Sequence, residues 1–178
     1  MKYLLLLRGV NVGGNHRVPM ATLRDLFTTA GCRQVQSYIN SGNLCFTSDL
    51  ERAEVEALVV DILTTNFDFP IDFRVLTEAE FKTDLAQAPT WWGADPTLRH
   101  NALFKLRSYD QSHDSWLPTK LTAYDQVLIT PNIIFWTSTF RVNFSKSFYS
   151  KLLGTPFYQQ TSARNFNTTM KLEKLLDR

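Results

Sequence analysis

Three short stretches gather polar side chains and glycines of the kind that hold an anion: LLLLRGVNVGGNHRVPM (Leu4 to Met20), SGN (Ser41 to Asn43) and SARNFNTTMKL (Ser162 to Leu172). In the first, Arg8 offers a planar donor fork, Arg17 a second cation, and Gly13 and Gly14 permit left-handed backbone and close approach. Successive N–H groups in such a loop can face one concavity, a nest for phosphate, and a helix starting near Pro19 would add its positive end. There is no Gly-Lys-Ser/Thr ending and no GxGxxG, so neither nucleotide motif is present. Paired glycines also serve as plain turns, and Ser41 and Asn43 as side chains that close one. In the third stretch Asn167 stands as an N-cap, with Thr168 and Thr169 in the first turn. Capping leaves Arg164 and Asn165 unexplained, with their donors beside a positive helix end that favours an anion.

Other chemistry is sparse. His16, His100 and His113 have no ligand spacing among themselves or to Cys32 and Cys45, so neither a metal site nor a cofactor is expected. His16 is the one histidine placed to serve as a base in the opening loop, against the ordinary reading of an exposed loop histidine. Cys45 alternates with apolar neighbours and reads as core. FWTSTFRVNFSKSFYSK, Phe135 to Lys151, interleaves aromatics with cations as nucleic-acid surfaces do. Phe140, Phe144 and Phe148 fit a helical period, and Phe140, Val142 and Phe144 also alternate, so either period predicts burial.

Two cysteines in no CxxC spacing suit a reducing compartment. Tyr3 to Leu7 is too short an apolar run for a signal-peptide core or a membrane span. A soluble, cytoplasmic protein without membrane contact is expected. The net charge of +2 conceals a segregation: residues 1–48 carry five Lys and Arg against one acid, 49–96 three against eleven, and 97–178 eleven against five. No Asp or Glu lies between Gln126 and Leu172. Two basic, acid-poor regions suit anionic ligands if the fold joins them, and are two weakly basic faces if it does not.

These stretches need elements to carry them. Tyr3 to Leu7 reads as a strand covered on both sides, and Met20, Leu23, Leu26, Phe27 and Ala30 as a helix that Gly31 stops. Gln34 to Ile39 and Leu44 to Phe46 flank a hairpin turn. Ser48 and Glu51 read as a capping box before a helix bearing Val55, Val59 and Ile62. Ile71 to Leu76 reads as a strand, and Thr77 with Glu80 as a second box. This is the split βαββαβ order of a ferredoxin-like domain. QAPTWWGADPTLRHN breaks the pattern, after which the order recurs: strand Ala102 to Leu106, a helix within Gln111 to Leu117, strands Gln126 to Ile129 and Ile133 to Trp136, a helix near Lys146 to Leu153, a strand at Phe157 to Gln160 and a closing helix from Thr168. The expectation is an α+β chain of two tandem ferredoxin-like plaits with antiparallel sheets, residues 1–90 and 98–178.

LLLLRGVNVGG, VPM, YINSGN and RNFNT, in that order across the chain, resemble the signature strings of the uncharacterised family known as domain of unknown function 1697. The resemblance implies two ferredoxin-like halves and no established activity. It places Arg8, Asn11, Gly13, Gly14, Ser41, Gly42, Asn43, Arg164, Asn165, Asn167 and Thr168 at signature positions. The chain departs from the usual strings with Asn15 and His16 in place of Lys-Asn and Phe166 in place of Trp, so Arg17 stands in as the loop's positive charge. The expected function is binding of a phosphate-bearing small molecule, or another anion, in a cleft between the halves. Alternatives are an enzyme acting on such a ligand, an RNA binder, ranked behind because no RRM-type string is present, and signature residues that serve only as structure. No oligomeric state is implied.

Overall fold

The computed structural model describes residues 1–178, which form two units: Met1–Lys82 with Lys171–Arg178, and Thr83–Met170. In chain order the elements are β1 (Lys2–Leu7), α1 (Met20–Thr29), β2 (Arg33–Ser37), β3 (Asn43–Thr47), α2 (Arg52–Asn66), β4 (Phe73–Thr77) and α3 (Glu78–Leu85). They continue as β5 (Arg99–Lys105), α4 (His113–Trp116), β6 (Asp125–Ile129), β7 (Ile133–Ser138), α5 (Pro156–Gln159), β8 (Thr161–Asn165) and α6 (Phe166–Leu176). The two sheets run β2-β3-β1-β4 and β6-β7-β5-β8, every pairing antiparallel. This is one ferredoxin-like order used twice.

The first strand of each plait is paired on both edges, which is why β1 is buried from Tyr3 to Leu7 and β5 from Ala102 to Lys105. In the first unit Leu5, Leu7 and Phe46 pack with Leu23 and Phe27 of α1 and Val55, Val59 and Ile62 of α2. Gly31, at φ +90°, ends α1 in the left-handed conformation a glycine stop supplies. Thr77 and Glu80 form the expected box: Thr77 N–H donates to Glu80 Oε2 at 2.8 Å and Glu80 N–H to Thr77 Oγ1 at 3.1 Å. The box ahead of α2 sits three residues later than Ser48 and Glu51 suggested. It joins Glu51 to Glu54, while Ser48 Oγ accepts Leu50 N–H at 3.2 Å.

The second unit departs more from its pattern. The segment that breaks the pattern is packed into it: Trp92 is buried, donates Nε1–H to the Asn101 carbonyl at 2.9 Å and meets the rings of Phe135 and Phe166 edge-on. Asp84 accepts Asn132 N–H at 3.0 Å, tying the end of α3 to the same unit. No continuous helix runs from Lys146 to Leu153. Buried Asp125 accepts the N–H groups of Phe148 (2.7 Å) and Tyr149 (3.2 Å), and the chain makes separate 3-10 turns at Phe144–Lys146 and Tyr149–Lys151. Phe157 to Gln160 is not a strand, because Thr155 caps a turn beginning at Pro156 and accepts Tyr158 N–H at 3.1 Å. The strand follows as Thr161–Asn165, and α6 starts at Phe166, two residues before Thr168.

Candidate functional site

In the first unit the signature residues collect where β1 ends, β3 begins and β4 begins. Leu7 N–H donates to the Gly42 carbonyl at 2.8 Å and Arg8 N–H to the Asp72 carbonyl at 2.9 Å. Beyond Arg8 the backbone is left-handed at Gly9, Asn11, Gly13, Gly14 and His16. Gly13 and Gly14 are the centre of a miniature hairpin: Asn15 N–H reaches the Val12 carbonyl at 3.1 Å and Asn11 N–H the His16 carbonyl at 3.0 Å. Two consecutive left-handed residues closing such a bond are the pattern of a type I′ turn. The glycines thus close a tight turn, the other role that paired glycines serve.

Side chains here are largely committed to holding that end together. Asn11 donates Nδ2–H to the carbonyls of Val18 (2.9 Å) and Asn40 (2.8 Å) and accepts Val18 N–H at 2.8 Å, stapling the hairpin's base to the β2–β3 turn. Asn43, fully buried, donates to the Tyr38 carbonyl at 2.9 Å. Gly42 lies so close under β1 that a Cβ would sit 2.6 Å from Leu7 Cβ. Arg8 and Ser41 are half-buried, Arg17 is exposed, and the exposed His16 ring lies 4.7 Å from that of Phe69.

In the second unit Asn165, not Asn167, is the N-cap of α6: its Oδ1 accepts Thr168 N–H at 2.8 Å. The sequence favoured Asn167 because it precedes two threonines, but Asn167 lies exposed within the first turn. Buried Thr168 thus fixes Asn165, and Thr169 Oγ1–H donates to the Asn165 carbonyl at 2.9 Å. Arg164 is buried, with Nη1 bonded to Ser162 Oγ (2.8 Å) and the Ala163 carbonyl (2.9 Å). Burial pushes its guanidinium down to about 10.

Above this helix start opens a groove of about 650 Å³, within the range of ligand pockets. Asn165, Phe166 and Asn167 form one side, Arg99, His100 and Asn101 of β5 another, and Phe140 a third. The Arg99 guanidinium lies 4.7, 5.0 and 5.2 Å from the ring centres of Phe140, Phe144 and Tyr149, an aromatic cage for a cation. Both His100 nitrogens are engaged, Nε2 with the Asp95 carbonyl at 2.5 Å and Nδ1 with Gly93 N–H at 2.9 Å and Thr137 Oγ1 at 2.8 Å. Asn101 donates to Tyr149 Oη. No carboxylate lines the groove, and Asp95, next to Pro96 at its edge, accepts Thr97 N–H at 2.8 Å and Oγ1–H at 2.6 Å.

Sequence reasoning reached Asn165 and Asn167 but missed Arg99, His100, Asn101 and Phe140. Phe140 was expected in the core, yet it is 46% exposed and Val142 76%, because Thr139 to Asn143 belongs to neither a strand nor a helix and no period applies. The signal available was the interleaving of aromatics and cations from Phe135 to Lys151. Elsewhere, burial pushes the Cys45 thiol up to about 12, which leaves it a poor nucleophile. No three His, Cys, Asp or Glu side chains are grouped so as to hold a metal ion, and no helix is long and apolar enough to cross a membrane.

The family described as "protein of unknown function (DUF1697)" matches residues 1–135. The solved structure of the conserved bacterial protein SP0830 from Streptococcus pneumoniae is similar at a TM-score of 0.90 and 33% identity, over 98% of each chain. No curated protein matches.

Proposed function

We propose that this chain, which belongs to the DUF1697 family, binds a phosphate-bearing ligand in the groove of its second unit. The observation that carries the reading is a groove lined by the caged Arg99 guanidinium and by no carboxylate, at the start of an eleven-residue helix. An anion there gains the charge of Arg99 and the amide donors of Asn165 and Asn167, beside the positive end of α6. Thr168 acts one step back, by orienting Asn165. Arg164 does not line the groove and adds its charge from beneath the surface. In the first unit Arg17 is an exposed cation and Arg8 a half-buried one. Binding is favoured over catalysis, since His100 spends both ring nitrogens on its own surroundings.

A second reading, that signature residues are scaffold, is favoured for Asn11, Gly42 and Asn43 by their internal contacts. Melting of wild type and Asn167→Asp, with and without phosphate, pyrophosphate and nucleotides, separates the two. A ligand bound only to the native state at a hundredfold excess over Kd adds about 2.7 kcal/mol. The Asp variant should keep its stability without ligand, since an acid suits a first helical turn, and should lose the ligand-induced shift. Absence of any shift in wild type would remove the binding reading.

A further inference from the structure

We infer that the occupant of this groove is a segment of single-stranded nucleic acid, with a base stacked on Phe140 and backbone phosphates on Arg99 and Arg141. The inference rests on the phosphate-binding reading above and names its ligand class. Phe140 is a large apolar ring left 46% exposed, with Arg99 against it. It stands between two hollows. The groove shares Pro96, Leu98 and Phe140 with a second recess of about 510 Å³, whose wall continues through Arg141 and Val142. Each hollow therefore has its own arginine, an aromatic stands at the junction, and neither is lined by a carboxylate. A run of such recesses suits a ligand that repeats, a base and a phosphate at a time, better than a compact metabolite.

Charge along the neighbouring chain agrees. The loop that supplies Phe140 and Arg141 goes on to the exposed Lys146 and Lys151, and no acid occurs from Gln126 to Leu172. Cations tracking a backbone beside an exposed aromatic are the working parts of single-strand binding, and the amides of Asn165 and Asn167 can meet base edges. A duplex hides its base faces and could use only the cations.

The test is fluorescence anisotropy of labelled single-stranded RNA and DNA of about ten nucleotides, with a duplex of the same sequence, set beside melting with inorganic phosphate and nucleoside monophosphates. Single strands should bind on the order of tenfold more tightly than duplex, and more weakly as salt rises. Phe140→Ala should weaken binding by on the order of tenfold and Phe140→Trp should restore it. Arg141→Glu should weaken binding at unchanged melting temperature. Shifts from phosphate or mononucleotides with no oligonucleotide binding would overturn the inference and leave the phosphate reading standing. No response to any of them removes both. Oligonucleotide binding that ignores Phe140→Ala, or that is equal for duplex, would also overturn it.

Discussion

Asn11 and Val18 hold each other by two hydrogen bonds, Asn11 Nδ2–H to the Val18 carbonyl at 2.9 Å and Val18 N–H to Asn11 Oδ1 at 2.8 Å. The pair closes the opening loop as a side chain imitating a strand partner, and the third bond, to the Asn40 carbonyl, ties it to the neighbouring turn. Asn11 also sits at φ +58°, which asparagine accepts more readily than most residues. Asn11→Ala should therefore cost about 1–3 kcal/mol, and Asn11→Asp at least as much, because it sets a carboxylate oxygen against two carbonyls. Urea melts measure both. A loss confined to a few tenths would mean the loop does not depend on this staple.

Two glycines at the same end of the first sheet should respond unequally. Gly14, at φ +80°, has nothing within 4 Å of where a Cβ would go, so Gly14→Ala meets only the left-handed backbone, about 1 kcal/mol. Gly42, at φ +77°, would drive its Cβ to 2.6 Å from Leu7 Cβ and 2.9 Å from Val10 Cγ2, so Gly42→Ala adds overpacking and should cost about 2–4 kcal/mol. Equal losses would show that β1 and the turn yield to each other.

What the sequence revealed follows from how far each feature's cause lies along the chain. The burial of Tyr3 to Leu7 is written in the residues themselves, and the strand order of the first plait follows from it. Thr77 with Glu80 is equally local. The start of α6 is not: Phe166 packs on Trp92 and against Gly93, more than seventy residues earlier, and that contact suits a helix beginning at Phe166 with Asn165 as its cap. The groove has the same origin, since β5, the segment before it, the loop after β7 and the end of β8 meet only through the sheet. Phe140 satisfied two periods and obeys neither, because a period predicts a face only where an element exists.

The cysteines report on opening of the first sheet. Loss of water holds the Cys45 thiol at about 12 against an ordinary 9.0, and burial also raises Cys32, opposed by a hydrogen bond with Ser48 and the charge of Arg33. Between those two values the unfolded chain gives up the Cys45 proton first, so the native state binds more protons. The stability this contributes is complete below about pH 9 and is lost as pH rises toward 12. A thiol reagent at about pH 8 should leave both cysteines of the native protein unlabelled and modify both in denaturant. Urea melts should lose stability with increasing pH above about 9, less steeply in Cys45→Val. Rapid labelling of native protein at Cys45 would contradict this burial.

The last prediction concerns the two asparagines flanking Phe166, which sequence logic and geometry assign oppositely. If Asn167 were the cap, its loss would free an N–H in the first turn of α6, and Asn165 would be an ordinary strand residue. With Asn165 Oδ1 on Thr168 N–H at 2.8 Å, the cap is the earlier residue, and Thr168 is the third position of the helix, where a cap side chain reaches. Thr168 is 6% exposed, so water is poorly placed to replace a lost acceptor there. Asn165→Ala should cost about 1–2 kcal/mol and Asn165→Asp or Ser should recover most of it. Asn167→Ala, at an exposed site inside the turn, should stay within about 0.5 kcal/mol. Chemical denaturation of the four variants decides, with hydrogen exchange at the Thr168 amide as the local readout. A larger loss at Asn167 than at Asn165 would return the start of α6 to where the sequence put it.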